Sequence, residues 1–408
     1  MKSITFLIVF LLTLTACSAR TPKQQGMQIT NQPWPTQYIV KAEPLISVRL
    51  VSGPFVDVMI PEATNELRAG WRSISAGGGL LSADGISLGT ATLILPTRNG
   101  ARPPAMLRRG SRNEQQSFVG EIRVRAVANR VEVSETIPME QYLEGVLSAE
   151  LGARVAPAAL EAQAVAARSY ALARYLARKN EPCQIEGSTA DQDYKGLPSF
   201  GADKFHRAVT RTRGLVLTWH NQPVPAYYCA ASGGKTESPD NVWPERFMPD
   251  GVSKPSVVMT SVYDPDAEAG AALWGNPLHW EWTCTIPLKE LTQLMEAQVR
   301  GREITEVKNA SYTVGSQRVM TVDLILADGT TVTIPAAVLQ SKIGGSKLRS
   351  LLWTSYDVKD GILMIAGRGY GHGVGMSQVS AWAMAARGES HESILARFYP
   401  GATLERWW

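Results

Sequence analysis

The sequence predicts an α+β protein, in which a small β-rich N-terminal module precedes a mixed α+β domain of catalytic type. Three observations support this fold class. Residues 41–135 contain many short β-forming runs, residues 138–179 carry two helix patterns, and strand patterns return from residue 214 onward. Because no internal repeat is evident, we expect globular domains and not a repeat array.

Length and composition limit the class of protein further. The chain has 408 residues, 44% hydrophobic and 8% aromatic, which leaves room for two domains and a substantial core. The formal net charge of +4 is small for this length, and no run of clustered basic residues occurs. We therefore expect no nucleic-acid partner.

The N-terminus has the pattern of a lipoprotein signal peptide over residues 1–17. Lys2 supplies a positive charge, and residues 4–16 form an apolar run that is too short to span a bilayer. Residues 14–17, Leu-Thr-Ala-Cys, resemble a bacterial lipobox in which Cys17 becomes the lipidated first residue of the mature protein. An ordinary signal peptide or core segment is the alternative interpretation.

A flexible tether is predicted for residues 18–40, which are polar and contain several prolines. Ser18 follows the lipobox cysteine, where an Asp would indicate retention at the inner membrane of a Gram-negative cell. We therefore expect a protein of the cell envelope, anchored by its lipid on the periplasmic face of the outer membrane.

The β-rich module of residues 41–135 is predicted from β-forming runs that alternate with turn signals. The runs include residues 46–51, 56–60 and 121–127, and the turn signals lie at residues 77–79, 84–85 and 99–100. Two helices follow this module. Pro138 begins the first and Gly152 ends it, while Pro157 begins the second, which runs to about Lys179 and is rich in alanine.

Mixed structure is predicted for the second half of the chain. Residues 214–230 have a strand pattern, and residues 286–299 fit a helix. Two strand patterns, residues 320–326 and 330–334, flank an Asp328-Gly329 turn, which indicates a hairpin.

Every second residue from Gly367 to Gly375 is a glycine. This period of two predicts an extended strand with one bare backbone face. Tight packing against another backbone layer is one interpretation, and a slot for a polymer or ligand is the other. A helix over residues 377–387 is predicted to follow, ended by Gly388.

Glu150 lies on the apolar stripe of the first predicted helix, in line with Leu143 and Leu147. Partial burial and the negative end of the helix dipole both raise the pKa of a carboxyl group at this position. A general acid needs such a pKa to keep its proton near neutral pH. The alternative is a structural glutamate bonded to Arg154 or Arg168.

Five segments, in this order, resemble the stage II sporulation protein D (SpoIID) family. They are residues 139–150, 161–170, 231–236, 369–378 and 398–401. That family includes peptidoglycan lytic transglycosylases and proteins named as amidase enhancers. The resemblance extends from about residue 41 to the C-terminus, and it implies that residues 136–408 form a glycan-cleft domain.

The resemblance implies a role for each matching residue. Glu150 falls on the position of the family's catalytic glutamate, which implies a general acid/base that cleaves MurNAc–GlcNAc linkages in glycan strands without stem peptides. The residues that would shape the cleft and bind the glycan are Gln163, Arg168, Tyr170, Ser232, Gly233, Thr236, Tyr370, His372 and Gln378. Gln163 and Arg168 are equally open to interpretation as buried structural partners, and His372 as a structural hydrogen-bonding residue.

Three alternatives to this function differ in the residues that they need. A non-catalytic peptidoglycan-binding protein that activates a cell-wall amidase is the main alternative. Hydrolysis by two carboxylates needs a second acid, for which Glu161 and Asp240 are the nearest candidates. A serine hydrolase is not expected, because Ser232 lacks the Gly-x-Ser-x-Gly pattern.

Three cysteines remain after Cys17, and an oxidising envelope favours a disulfide. Cys183 and Cys229 lie near the two central motifs and are the favoured pair, although the sequence leaves other pairings open. Some relatives hold zinc in the stretch after the second helix. Here residues 183–196 contain one cysteine and no histidine, too few ligands for a structural zinc site. We expect neither a metal nor a cofactor.

Overall fold

The computed structural model describes residues 40, 42–60, 68–90, 93–95, 105–108, 115–198, 200–243 and 258–408. The predicted lipobox with Cys17, and the predicted tether as far as residue 39, lie outside these residues. Among the helices of the described ranges, none is both long and apolar enough to cross a membrane. Two hydrophobic cores, built from different segments, organise the described chain.

The first ten strands are short and antiparallel, as the β-forming runs predict. They are β1 (Leu45–Gly53), β2 (Phe55–Ile60), β3 (Gly70–Gly77), β4 (Leu80–Ala83), β5 (Ile86–Ser87), β6 (Leu93–Leu95), β7 (Ala105–Arg108), β8 (Gln115–Phe118), β9 (Glu121–Val127) and β10 (Arg130–Pro138). One sheet has the order β5-β4-β3-β2-β7-β8, and a second contains β1-β10-β9-β6. Alternate side chains of β1, namely Ile46, Val48 and Leu50, face the core. The β-rich N-terminal region is confirmed.

Helices α1 (Met139–Glu150) and α2 (Pro157–Ala177) occupy the two predicted helical segments. A proline stands at the start of each, where its fixed φ suits a helix. Gly152, with φ of 70°, follows α1 in the left-handed region that glycine adopts without strain. Every residue of α2 from Ala159 to Ala173 is buried, because small alanine side chains let neighbouring elements approach closely.

Residues 185–279 extend the main core with short elements. They are β11 (Ile185–Glu186), α3 (Ala202–Arg211), β12 (Leu215–Trp219), β13 (Gln222–Pro223), β14 (Tyr228–Cys229), α4 (Pro239–Val242), α5 (Ala267–Trp274) and a 3-10 turn (Pro277–His279). β11 joins the second sheet as a parallel neighbour of β1.

Residues 281–368 pack around a hydrophobic core of their own. Their elements are β15 (Glu281–Pro287), α6 (Leu288–Leu294), α7 (Glu296–Val299), β16 (Ile304–Tyr312), β17 (Val319–Leu326), β18 (Thr331–Pro335), α8 (Ala336–Ile343), β19 (Trp353–Lys359) and β20 (Ile362–Arg368). Two antiparallel sheets have the orders β15-β20-β19 and β16-β17-β18. The predicted hairpin joins β17 to β18 at Gly329, whose φ is 79°. The single helix predicted over residues 286–299 is instead divided at Met295 into α6 and α7.

The chain then returns to the main core. The last elements are β21 (Met376–Ser377), α9 (Gln378–Ala386), α10 (His391–Phe398) and β22 (Thr403–Arg406). β22 pairs with β12 in the order β13-β12-β22, and β21 pairs in parallel with β14. Helix α9 matches the predicted helix to within one residue at each end. The α+β class is therefore confirmed over both cores.

The predicted glycine-rich strand does not continue beyond Arg368. Gly369, Gly371, Gly373 and Gly375 all have positive φ, between 71° and 93°. The backbone thus enters the left-handed region at every second residue, which an extended strand does not do. The period of two in the sequence has this conformational cause, so the prediction of a strand was wrong.

Backbone packing explains two of these glycines directly. A Cβ on Gly369 would lie 2.8 Å from the carbonyl oxygen of Ala231, and a Cβ on Gly375 would overlap the carbonyl oxygen of Tyr227. The glycine segment therefore lies flush against the backbone of residues 227–233, as the packing interpretation of the sequence proposed.

The other two glycines have different surroundings. A Cβ on Gly373 would overlap the guanidinium group of Arg318, whereas the nearest atom to a Cβ on Gly371 is the Cβ of Cys229, at 3.7 Å. Gly371 therefore has space beside it, and its positive φ is the main reason for a glycine there.

The predicted disulfide between Cys183 and Cys229 is not formed, and the three described cysteines have free, buried thiols. Cys183 Sγ lies 4.0 Å from Glu132 Oε1 on β10, whereas Cys229 lies on β14 beside Gly371. Burial raises the pKa of the Cys229 thiol to about 12, which keeps it protonated. Each of these cysteines lies near a sequence motif, but the fold leaves the two thiols unpaired.

Candidate functional site

Glu150 is the last residue of α1, and its side chain is half-buried. Leu143, Val146 and Leu147, which precede it on the same face of the helix, are completely buried. The apolar stripe predicted from the sequence is thus present, and Glu150 lies where this stripe leaves the core.

Three neutral donors from separate segments bind the carboxylate of Glu150. The backbone N–H of Asp193 donates to Oε1 at 3.0 Å, and the Tyr228 hydroxyl donates to the same oxygen at 3.4 Å. The side-chain amide of Gln378 donates to Oε2 at 3.2 Å. Of the sequence-predicted binding residues, Gln378 is therefore in contact with the predicted catalytic carboxyl.

Strand pairing explains why Tyr228 and Gln378 meet at Glu150. β14 and β21 pair in parallel, with Tyr228 opposite Met376 and Cys229 opposite Ser377. Gln378 follows directly as the first residue of α9. This two-residue ladder thus joins residues 228–229, which directly precede the central motif (residues 231–236), to the C-terminal motif (residues 369–378), beside the end of α1.

The pKa of Glu150 is raised by burial, since desolvation disfavours the charged form. The hydrogen bonds from Asp193, Gln378 and Tyr228 act in the opposite direction, whereas the negative charge of the Asp193 carboxylate adds to the rise. Among the described residues, no Lys or Arg forms an ion pair with Glu150. The alternative interpretation of Glu150 as the partner of Arg154 or Arg168 is therefore not supported.

Arg168 is fully buried and forms an ion pair with a different glutamate, Glu140, at the other end of α1. Its Nε donates to one carboxylate oxygen at 3.0 Å and its terminal nitrogen to the other at 2.6 Å. Further bonds reach the carbonyl oxygens of Leu215 and Val209. Because Arg168 is fully buried, its geometry favours the structural interpretation over contact with glycan.

Gln163 and Tyr170, the other predicted binding residues of α2, are also buried. Neither side-chain amide atom of Gln163 has a hydrogen-bond partner among the described residues. The hydroxyl of Tyr170 donates to Asp191 at 2.7 Å and accepts from Arg174 at 3.1 Å. Tyr170 therefore orders the loop that presents the N–H of Asp193 to Glu150, and its contact with glycan remains a prediction.

Ser232 and Thr236 are buried hydrogen-bonding residues of the central motif. Ser232 Oγ donates to Asp264, which also accepts from Ser380 at 2.7 Å. Thr236 Oγ1 accepts from the N–H of Val262 at 2.8 Å. Each hydroxyl is thus committed to a buried hydrogen bond within the protein.

His372 has both ring nitrogens engaged within the protein. Its Nδ1 accepts from the N–H of Val374 at 2.9 Å, and the ring donates to the backbone carbonyl of Tyr228. Burial and the positive charge of Arg318 lower the pKa of His372 to about 4. His372 is therefore neutral near pH 7, and this geometry favours its structural interpretation.

Tyr370 and Gly233 lie where the motif of residues 231–236 packs against the motif of residues 369–378. The backbones of Tyr370 and Ala231 exchange hydrogen bonds of 2.9 and 3.1 Å, and the Tyr370 ring stacks on His279. A Cβ on Gly233 would lie 2.8 Å from the carbonyl carbon of Arg368. Gly233 thus lets the central motif lie against the start of the glycine segment.

A pocket of about 580 Å³ adjoins Gly233, between the main core and the core of residues 281–368. Its lining residues are Gly233, Gly234, Lys235, Tyr263, Asp264, Pro265, Glu268, Trp280, Leu352, Thr354 and Arg368. The Arg368 guanidinium lies 4.6 Å from the Trp280 ring and forms an ion pair with Glu281. Glu150 does not line this pocket, which adjoins Gly233, Gly234 and Lys235 of the motif at residues 231–236.

Sequence reasoning missed Tyr228, Asp193 and Gln192. Gln192 bonds Tyr228 at 3.1 Å, and Tyr228 in turn bonds Glu150. The stretch that contains Gln192 and Asp193 has too few ligands for a metal, and its sequence alone gives neither residue a partner. A weak signal was present in it, because the backbone N–H groups of a loop need acceptors and a nearby carboxylate can be one of them.

Comparison with known proteins identifies a family domain at this site. The family model described as "Stage II sporulation protein" (SpoIID) matches residues 127–219, which contain Glu150 and Asp193. The chain is 28% identical over 290 residues to the amidase enhancer of Bacillus subtilis, covering 64% of this chain. It is 28% identical over 292 residues to stage II sporulation protein D of Bacillus amyloliquefaciens, and 29% identical over 273 residues to an uncharacterised protein of Brachyspira hyodysenteriae.

These relatives are covered to different extents. The match spans 40% of the amidase enhancer, 75% of the B. amyloliquefaciens protein and 68% of the Brachyspira protein. It covers 66% and 67% of this chain in the last two cases. The resemblance inferred from the sequence motifs is therefore confirmed, and the chain carries a SpoIID family domain at residues 127–219.

Proposed function

We propose that this protein is a lytic transglycosylase that cleaves MurNAc–GlcNAc linkages in peptidoglycan strands without stem peptides. The observation that carries the proposal is Glu150, a half-buried carboxyl with a raised pKa, bound by three neutral donors. Such a group keeps its proton at a higher pH than an ordinary glutamate, as a general acid requires. The names of the relatives, amidase enhancer and stage II sporulation protein D, support a role related to the cell wall.

In the proposed reaction, Glu150 first acts as an acid and then as a base. It donates its proton to the glycosidic oxygen while the bond from that oxygen to C1 of MurNAc breaks. The carboxylate then takes the proton of the 6-hydroxyl of the same sugar, whose oxygen bonds to C1. The products are a 1,6-anhydro end and a new hydroxyl on the released GlcNAc, and no water is consumed.

One carboxyl suffices for this reaction, whereas hydrolysis by two carboxylates needs a second acid. Two of the acids that could be considered for that role already have partners. Glu161 pairs with Arg211 at 3.3 Å and with His391 at 3.1 Å, and the Asp193 carboxylate pairs with Lys195 at 2.9 Å. This arrangement favours the single-carboxyl mechanism.

The pocket beside Gly233 supports the binding of a polymer. It contributes aromatic and polar side chains next to the motif of residues 231–236, which follows Tyr228 in the chain. A strand bound at Glu150 would extend along this motif, and we propose that a neighbouring sugar unit occupies the pocket. Gly233 and the surrounding side chains, not the bare face of the glycine segment, would then form its contact surface.

We propose further that the protein is attached to the periplasmic face of the outer membrane through lipid on Cys17. The support is the lipobox-like Leu-Thr-Ala-Cys sequence and the Ser that follows it. Replacing the cysteine, Cys17→Ala, should release the protein from isolated membranes. If Cys17→Ala fractionates with membranes as the wild-type protein does, the lipid attachment is refuted.

A non-catalytic activator of a cell-wall amidase is the second candidate, favoured by the name of the B. subtilis relative. Mass spectrometry after incubation of purified protein with peptide-free glycan strands separates the two functions. A transglycosylase releases fragments with 1,6-anhydro ends, each lighter by one water than a hydrolysis product. Intact peptide-free strands, together with faster cleavage of peptide-bearing peptidoglycan by an added amidase, would instead support the activator.

A further inference from the structure

Gln192 links the carboxyl of Glu150 to the protein interior. Its side chain is fully buried. Its Nε2 donates to the carbonyl oxygen of Ala167 at 3.3 Å and to the Tyr228 hydroxyl at 3.1 Å. Its Oε1 accepts from the Tyr142 hydroxyl at 3.0 Å. Both sides of this amide therefore have assigned partners.

These contacts fix the donor and the acceptor of each hydrogen bond that links Ala167, Gln192, Tyr228 and Glu150. A backbone carbonyl only accepts hydrogen bonds, so Ala167 requires the NH₂ side of Gln192 to face it. The same NH₂ group then faces Tyr228, whose oxygen acts as an acceptor. The single hydroxyl proton of Tyr228 consequently points to its other neighbour, Glu150 Oε1.

The two oxygens of Glu150 are therefore not equivalent. Oε1 accepts from the N–H of Asp193 and from Tyr228, whereas Oε2 accepts from Gln378. Donors directed at an oxygen stabilise its negative charge and oppose a proton on it. A proton on the carboxyl is thus favoured at Oε2. The side-chain amide of Gln378 can rotate there, so that its oxygen accepts a hydrogen bond from the protonated carboxyl.

We propose that Gln192 and Tyr228 are positioning residues that confine the transferable proton of Glu150 to Oε2. This inference rests on the proposed role of Glu150 as a general acid/base. The oxygen that donates the proton would then be the one beside Gln378, and Oε1 would stay bound to the protein throughout the reaction. Both residues act through Glu150 and need no contact with the glycan.

The groups that face Glu150 are compatible with this arrangement. Burial raises the pKa of Tyr228 and of Tyr142 well above the ordinary value, so both phenols remain neutral donors. The charged group that faces Glu150 is the Asp193 carboxylate, which pairs with Lys195. Neither tyrosine competes with Glu150 for the proton.

The test is the titration of Glu150 in Tyr228→Phe, which removes the hydroxyl and keeps the ring. Carbon-13 NMR of the glutamate carboxyls in the full-length protein gives the pKa, and the Glu150 signal is assigned by its loss in Glu150→Gln. Because a donor to the charged form is removed, the pKa should rise by about one pH unit. Tyr399→Phe is the control: it deletes a buried hydroxyl bonded to Tyr227, at 2.7 Å, and should leave the Glu150 titration unchanged.

A double-mutant cycle tests the role of Gln192. Gln192→Met removes both hydrogen-bonding sides at similar volume and should raise the pKa of Glu150, by less than Tyr228→Phe does. In the Tyr228→Phe background it should have no further effect, because its influence passes through Tyr228.

Three outcomes would overturn the inference. They are an unchanged Glu150 titration in Tyr228→Phe, an effect of Gln192→Met that persists without the Tyr228 hydroxyl, and an equal shift in Tyr399→Phe. If Gln192→Met does not fold, the Tyr228→Phe titration still decides. Since the readout is a titration, it is independent of turnover, and absent 1,6-anhydro products in the wild type would refute the proposed function alone.

Discussion

The two ends of helix α1 each hold a glutamate against the core, but the partners of the two carboxylates differ in charge. Two nitrogens of the Arg168 guanidinium, Nε and a terminal one, donate hydrogen bonds to Glu140. The indole N–H of Trp408 also donates to it at 2.9 Å, and the backbone N–H of Gly214 at 3.2 Å. Glu150 is bound by neutral donors only, among the described residues.

This difference separates a structural carboxylate from one suited to proton transfer. A buried ion pair keeps its charges only while both partners remain, and it contributes to the fold. A carboxyl among neutral donors gains and loses a proton without leaving a buried cation unpaired. Two glutamates on one helix thus acquire different roles from the charge of their neighbours, and the predictions below test that distinction.

The largest expected effect is on the stability of the Glu140 end. Arg168→Met should lower the free energy of unfolding by about 3–5 kcal/mol, because it leaves the carboxylate of Glu140 buried without a cation. Urea unfolding followed by circular dichroism measures this loss. Glu140→Gln combined with Arg168→Met should be less destabilised than the sum of the single variants. A loss below about 1 kcal/mol for Arg168→Met would show that the ion pair is not the structural counterpart of Glu150.

A smaller effect is expected from His372, close to the Glu150 end. Its folded-state pKa of about 4 lies below the ordinary value of 6.5, so the unfolded chain binds more protons between these values. The stability due to neutral His372 is complete above pH 6.5 and is lost as the pH falls toward 4, by up to about 3 kcal/mol. Unfolding free energies measured across this range should show a shallower slope in His372→Gln. An unchanged slope would mean that His372 is not held neutral.

The smallest single effect is expected at Gly371, in the glycine segment that leads to Gln378, and Gly373 is its comparison. Gly373→Ala forces Arg318 to move and should lower the unfolding free energy by about 1–3 kcal/mol beyond the strain of its positive φ. Gly371→Ala has space for its methyl group and should show only that strain, of about 1–2 kcal/mol. Melting temperatures of the pair check the order. If Gly371→Ala is the less stable variant, the packing described for this segment is incorrect.

Much of the fold and part of the site could be predicted from the sequence. Proline and glycine positions located α1 and α2, and the apolar stripe singled out Glu150 before its neighbours were known. The period of two from Gly367 to Gly375 misled, because alternating left-handed residues and an extended strand give the same pattern of glycines. Only the φ angles distinguish these two conformations.

The remaining errors concern contacts between distant segments. Nothing in the sequence around Arg168 indicates that it forms an ion pair with Glu140. Likewise, nothing around Tyr228 indicates that its hydroxyl bonds Glu150, which lies 78 positions earlier in the chain. The parallel pairing of β14 with β21, and the separate core of residues 281–368, also depend on tertiary packing. Sequence motifs therefore identified the segments of the site, and the structure was needed to assign each side chain to a partner.

The most direct test of the account compares Glu150→Gln with Glu140→Gln in one assay. The measurement is the rate at which 1,6-anhydro ends form from peptide-free glycan strands, per folded molecule, with the melting temperature of each variant recorded. Glu150→Gln should reduce this rate by about 10²–10⁴-fold at a nearly unchanged melting temperature. Glu140→Gln should lower the melting temperature while its folded fraction retains the rate. An active Glu150→Gln, or a Glu140→Gln that is stable but inactive, would contradict the assignment of proton transfer to Glu150.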